Sequence, residues 1–331
     1  MKKKITLHLK HLLENGTITK EEAERFIALS EHKTGGTIFR NLMVIFGTLS
    51  IVGGFLGIAP DPNIAAALAA ITLGGGYWLY YKGDESWKFV AQSFGFLGTI
   101  GVTSWLIHTM DFIGGERPET SDIIIMWLII SSILGLVAFT LHNKFLAGLF
   151  PLALAQLIGA STFYSHASYY LSIREPSLAI LIFSVIAGAT YFASTKLRGI
   201  YDDLCTIIAR VSLFIVNMAF WIGSLWGDKI GKKFNYRYDP TDLHIDEMVF
   251  TIGWFLALLI AIAWGTHRGL GYVVNLSIVF LGIHAYTQYF EFVGLNPIGM
   301  LVGGIMIFAT AMIWWKYKDQ LEAIVMRKST N

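Results

Sequence analysis

One feature governs what this chain can fold into: apolar runs of about 20 residues recur along it, separated by short polar breaks. Crossing roughly 30 Å of hydrocarbon at about 1.5 Å per residue takes a helix of that length. Ten such runs are present, at about 39–59, 63–81, 88–110, 122–141, 144–165, 175–194, 203–226, 245–265, 269–290 and 296–315. Composition agrees. Of the 331 residues, 54% are hydrophobic and only 15% charged, against about a quarter charged in an ordinary soluble domain. The chain is expected to be an all-α integral membrane helical bundle of about ten transmembrane helices.

Charge and cysteine usage remove several function classes. A net charge of +2 is too small to suggest nucleic-acid binding. Cys205 is the single cysteine, so neither an internal disulfide nor a thiolate metal site is expected. Met1-Lys2-Lys3-Lys4 resembles the start of a leader, but Lys10, His11, Glu14 and Asn15 interrupt the apolar stretch that would have to follow. No cleavable signal is therefore expected.

Orientation follows from the basic residues between the runs. With the N-terminus inside, eighteen Lys and Arg fall on the cytoplasmic side, among them Lys82, Lys88, Lys144, Lys196 and Arg268. Six fall outside: Arg117, Arg174, Lys229, Lys232, Lys233 and Arg237, four of them in the segment 227–244. Both termini are thus expected in the cytoplasm. Tyr77-Trp78-Leu79-Tyr80-Tyr81-Lys82 and Trp314-Trp315-Lys316-Tyr317-Lys318 would end spans at the inner interface, where amphipathic rings belong. Those two endings correspond when 41–82 is laid on 275–316, which pairs Asn41-Leu42 with Asn275-Leu276 and Lys82 with Lys316. The pairing is a candidate internal duplication.

The chain opens differently, with a polar segment over 1–38. Ile5, Leu9, Leu12 and Leu13 form one helical stripe, and Asn15-Gly16 stops it. Thr19-Lys20-Glu21-Glu22 is a capping box, with hydroxyl and carboxylate reaching for each other's backbone amides. Ala23, Phe26 and Ile27 give the second helix a matching stripe, so a helical hairpin is expected. A core that small needs support from another copy, the bundle or a protein partner, contacted through residues 1–35. The alternative is a solvated leader held near anionic lipid by its three lysines.

This opening, with Gly16-Thr17-Ile18-Thr19 before an acidic helix start, resembles the bacterial membrane proteins of the domain of unknown function 2157 family. Asn275-Leu276 through Tyr289-Phe290, and the glycines Gly299, Gly303 and Gly304 of the last run, are similar to that family too. The resemblance implies location and architecture only: a multi-pass protein of the bacterial plasma (inner) membrane. The expected organisation is a cytosolic hairpin over 1–38, a ten-span bundle over 39–316 and a cytosolic tail over 317–331.

Among residues able to carry chemistry, Arg210 is the most informative, lying about 10 Å along the seventh run. Asp203, Arg210, Asn217, Trp221 and Ser224 share one helical face, which is expected to turn inward. Arg210 would then anchor an anionic ligand group; alternatively its side chain reaches back toward the headgroups near Asp202 and Asp203. Three more polar groups end outward-running spans: Ser104, His108 and Asp111; His284, Gln288 and Glu291; and Ser161, Ser165 and His166. A histidine one turn from a carboxylate can relay protons or bind zinc, but no HExxH-like signature supports a metal, and neither metal nor cofactor is expected. Gly53-xxx-Gly57, Gly299-xxx-Gly303 and the Gly95, Gly98, Gly101 series lie inside spans and are expected to let helices approach closely.

No catalytic constellation is present in the sequence, so no enzyme is expected. Two functions are. One is a carrier- or channel-like protein for a small solute, with Arg210, Asn217, Trp221, His108, Asp111, His284, Gln288 and Glu291 as candidate ligand-binding residues. The other is a non-transporting scaffold or sensor that recruits a partner through its hairpin.

Overall fold

The computed structural model describes residues 18–29, 43, 44, 46, 47, 50, 61–112, 120–159, 161–165, 168–173, 175–229, 244–293, 297–305, 307–309, 312 and 316. The first hairpin helix, most of the first expected span with Gly53 and Gly57, the segment 230–243 and the tail 317–331 lie outside them. So does much of the 41–82 half of the candidate duplication.

The described chain is all-α apart from two short ribbons. Its helices are α1 (Lys20–Leu29), α2 (Pro62–Lys82), α3 (Lys88–Phe112), α4 (Thr120–Thr140), α5 (Lys144–Leu157), α6 (Pro176–Lys196), α7 (Ile200–Trp226), α8 (Glu247–Arg268), α9 (Gly271–Val293) and α10 (Pro297–Ala309). Seven of these, α2, α3, α4, α6, α7, α8 and α9, are long and apolar enough to cross a membrane. The strands β1 (Ser161–Ser165) and β2 (Ser168–Ser172) pair antiparallel, as do β3 (Asp228–Lys229) and β4 (His244–Ile245).

The first ribbon corrects the expectation of a fifth span over 144–165. Helix α5 carries Pro151 in its interior and ends at Leu157, and Ser161 and Ser165 belong to a strand. His166 lies outside the described residues. Hydropathy registers only that 144–165 is apolar; Thr162-Phe163-Tyr164 is β-branched and aromatic, and so suits a pleated strand.

The chain divides into two compact units, Met1–Ala147 with Thr195–Leu204, and Gly148–Ser194 with Cys205–Asn331. In the first unit, α1 starts from the expected capping box. The Glu22 N–H donates to Thr19 Oγ1 at 3.2 Å, and the Thr19 N–H donates to Glu22 Oε2 at 2.8 Å. Helix α2 begins with the Asp61 carboxylate accepting from the Asn63 N–H at 2.7 Å and with Pro62 at a position where no N–H is needed. Helices α2 and α3 pack backbone to backbone. A Cβ on Gly98 would lie 2.5 Å from the Leu73 nitrogen, one on Gly76 2.8 Å from the Gly95 nitrogen, and one on Gly101 2.6 Å from the Ala69 Cβ. Helix α4 buries Met126, Ile130, Leu134, Val137 and Ala138, a stripe at helical spacing.

The second unit has two apolar clusters. Ala155, Ile173, Ala179 and Phe183 pack with Ile215, Val216, Ala219 and Ile222 of α7. Trp254 and Leu258 of α8 pack with Phe280 of α9, against Met218 and Trp221. Helix α8 is closed at both ends, by Asp246 accepting from the Met248 N–H at 2.8 Å and by Gly269 in the left-handed conformation at φ 68°.

Candidate functional site

Helix α7 is amphipathic in an unusual sense: beside its apolar residues it buries Ser212, Asn217 and Ser224. A buried amide must use its hydrogen-bonding groups or lose their solvation, and Asn217 uses both ends. Its Nδ2–H donates to the Leu213 carbonyl at 2.9 Å, and its Oδ1 accepts from the Trp254 indole N–H at 3.0 Å. Trp254 is 0% exposed and lies edge-on to His284, with ring centroids 5.1 Å apart. His284 Nε2 is 3.1 Å from the Thr251 carbonyl oxygen. A carbonyl can only accept, so this nitrogen carries the proton and Nδ1 keeps its lone pair. Farther along the same helices, the Trp221 indole N–H donates to Thr287 Oγ1 at 3.0 Å. Next to Thr287, Gln288 Nε2 is buried with no hydrogen-bond partner among the described residues. The second unit therefore joins α7, α8 and α9 through a short chain of uncharged polar groups with one amide left unsatisfied.

The sequence-derived candidates divide between this interior and the surface. Asn217 and His284 are buried and linked through Trp254, and Trp221 and Gln288 are half-buried beside them. Arg210 is exposed: its guanidinium lies over the Tyr272 ring, 4.9 Å from the centroid, while the Tyr272 hydroxyl donates to the Arg210 carbonyl at 3.1 Å. Asp203 is also exposed and pairs with Lys144 at 2.5 Å. The stripe expected to face inward does so only from Asn217 onward. Glu291 and His108 are exposed, and the Asp111 side chain lies outside the described residues. Among the described residues no group of three His, Cys, Asp or Glu side chains could hold a metal ion.

Two further polar centres were not anticipated from the sequence. In the second unit Asp228, 1% exposed, accepts from the Ser177 N–H at 2.9 Å and from the Ser177 hydroxyl, and so caps α6 from a distant position; its Oδ1 is buried, with no partner among the described residues. His244 Nδ1 donates to the Asp228 carbonyl at 3.1 Å. In the first unit His142 occupies the left-handed turn between α4 and α5, at φ 51°. The Asn143 N–H returns to the Ala138 carbonyl at 2.9 Å, closing α4 as a Schellman turn does. Asn143 Oδ1 then caps α5 by accepting from the Phe145 and Leu146 amides at 3.0 and 3.2 Å. Gln92 of α3 donates to the Leu141 and His142 carbonyls at 3.2 and 3.1 Å, and its own carbonyl accepts from Asn143 Nδ2 at 2.7 Å. The His142 Nδ1 is hydrogen-bonded to the Tyr80 hydroxyl, and its ring lies edge-on to Tyr201 at 4.8 Å. Burial, and secondarily the Lys88 cation, push the His142 imidazole below the usual histidine pKa. A polar residue following the end of an apolar run, as Asp228 and His142 each do, was the signal available for both.

No family model matches the chain, and neither a curated protein nor a solved structure matches it.

Proposed function

We propose that the chain is a multi-pass protein of the bacterial plasma membrane, akin to the domain of unknown function 2157 family, with both termini in the cytoplasm, and that its second unit carries a small solute. The outward surface supports the membrane setting: Ile71, Leu136, Leu181, Ile260 and Ile298 are each more than 60% exposed, an arrangement that water disfavours and lipid accepts. The carrier reading rests on one observation, the buried set in which the Trp254 indole N–H donates to Asn217 and its ring lies edge-on to His284, inside a bundle whose periphery is apolar. A histidine and an amide at that depth cost insertion energy, and in membrane proteins such groups mark ligand or proton paths.

The test is osmotic. Proteoliposomes are shrunk with a panel of small solutes (urea, glycerol, neutral amino acids), and their reswelling is followed by light scattering. At least one solute should enter faster than into protein-free vesicles, and His284→Leu and Asn217→Leu should remove that entry without changing the amount inserted. Protein-free rates for the whole panel would defeat the reading. The scaffold alternative is favoured by the well-formed capping box of α1 and by its exposed Phe26. Deleting residues 1–35 should leave carrier flux intact, whereas the scaffold reading expects that deletion alone to abolish function.

A further inference from the structure

His142 poses a problem that no transport role addresses. It has the left-handed backbone that glycine adopts without cost, and its side chain makes contacts that a glycine would lack. What it touches is the end of α2, through the Tyr80 hydroxyl, and the start of α7, through the Tyr201 ring. Gln92 of α3 donates to its backbone carbonyl, and the neighbouring Asn143 donates back to the Gln92 carbonyl. One imidazole thus ties together the helix ends of the first unit.

We propose that His142 is an acid-released latch, which in its neutral form locks the end of α2 onto the α4–α5 turn and the head of α7. In the neutral ring the phenol, the stronger acid of the pair, donates to Nδ1, and the proton sits on Nε2, which is buried and has no partner among the described residues. A neutral buried N–H is tolerable there; an imidazolium is not. Protonating Nδ1 ends its role as acceptor, so the Tyr80 hydroxyl must turn around. It also places a positive charge beside an Nε2–H with no acceptor.

The surroundings do not relieve that charge. The ring meets Tyr80 of α2 and Tyr201 of α7 and feels the Lys88 cation at the start of α3, while Tyr81, and Glu85 just before α3, act on its partner Tyr80. Glu85 is engaged by Lys88 at 2.5 Å and Asp203 by Lys144 at 2.5 Å, and neither carboxylate bonds the imidazole. Lys88 repels the new charge. The latch stands apart from the carrier reading and would hold even if the second unit carried nothing. In the proposed orientation it faces the cytoplasm.

Amide hydrogen exchange on the whole protein in lipid nanodiscs, corrected for the intrinsic rate at each pH, tests this. Between about pH 7.5 and about pH 5, the lower value set well beneath an ordinary histidine because burial and Lys88 hold His142 down, peptides covering 77–88 and 139–146 should exchange at least about fivefold faster at the lower pH. His142→Asn keeps a side chain that accepts the left-handed turn and a polar acceptor but cannot titrate, and should show no such change. Tyr80→Phe removes the tie outright and should exchange fast at both values. A wild-type protein indifferent to pH in these peptides, or a His142→Asn variant that responds as wild type does, would overturn the proposal.

Discussion

The first unit holds α2 against α3 with almost nothing between them, whereas the second holds α7, α8 and α9 together with aromatic rings and hydrogen bonds. Gly76, Gly98 and Gly101 bring two backbones so close that a methyl group would not fit. Asn217, Trp221, Trp254 and His284 instead fill the space between helices and bond across it. Both are answers to one difficulty. Lipid tails are as apolar as leucine, so helices surrounded by lipid gain little from hiding oily side chains and must associate by close packing or by polar contacts. The two answers fail differently. A backbone contact fails sterically, with no side chain able to move aside; a hydrogen bond fails by leaving its partner unsatisfied.

The largest effect should come from the steric failure. Gly98→Val places a branched side chain where even its first carbon would be 2.5 Å from the Leu73 nitrogen and 2.7 Å from its Cα. Overpacking of this kind costs about 3 kcal/mol, enough to be seen as lost monodispersity and a lowered unfolding midpoint in detergent. Gly75→Ala, whose added carbon would meet only Phe94 Cδ2 at 3.8 Å, should stay within about 0.5 kcal/mol of wild type. Equal effects at the two positions would remove the distinction drawn between the units.

In the second unit the corresponding break is smaller and depends on its partner. Asn217→Leu strands the buried Trp254 N–H, and Trp254→Phe strands Asn217 Oδ1, each costing about 1–3 kcal/mol. The double variant should cost about 1–2 kcal/mol less than the sum, because both unpaired groups then disappear together. Strict additivity in this cycle, measured by reversible unfolding, would mean the indole and the amide are merely neighbours.

The sequence disclosed these two modes unevenly, and the reasons are physical. The Gly95, Gly98, Gly101 series was readable as a close approach because small residues at helical spacing have little other use inside a span. The Thr19–Glu22 box was readable because both partners lie within one turn. His284 stands out as a polar residue in an apolar run, but helical spacing associates it only with Gln288 and Glu291 on its own helix. Its actual contacts, Thr251 and Trp254, are some thirty residues away on α8, and no along-chain periodicity points to them. The seven-residue spacing of Asp203, Arg210, Asn217 and Ser224 correctly aligned one face of α7. It could not register that the face is covered only from Asn217 onward, because burial depends on where neighbouring helices lie and not on angle alone. The partner of Asp228 is illegible for a related reason, since the helix it caps starts about fifty residues earlier.

The smallest effect should lie at the surface of the first unit, where Lys144 and Asp203 form a pair that uses neither mode. Both side chains are about half exposed, at 50% and 53%, so water screens their attraction and the coupling should be about 0.5 kcal/mol, well below that of Asn217 with Trp254. The two single substitutions should nevertheless differ. Asp203 sits in the first turn of α7, where the helix dipole favours an anion, while Lys144 opens α5, where the same dipole disfavours a cation. Asp203→Asn therefore loses the pair and a favourable dipole contact, whereas Lys144→Gln loses the pair and an unfavourable one. The first should destabilise by about 1 kcal/mol and the second by close to nothing. In about 1 M salt, where the screening length falls to about 3 Å, the difference should shrink toward zero. A Lys144→Gln loss as large as that of Asp203→Asn, unaffected by salt, would place this pair with the buried contacts of the second unit and not with the solvated surface.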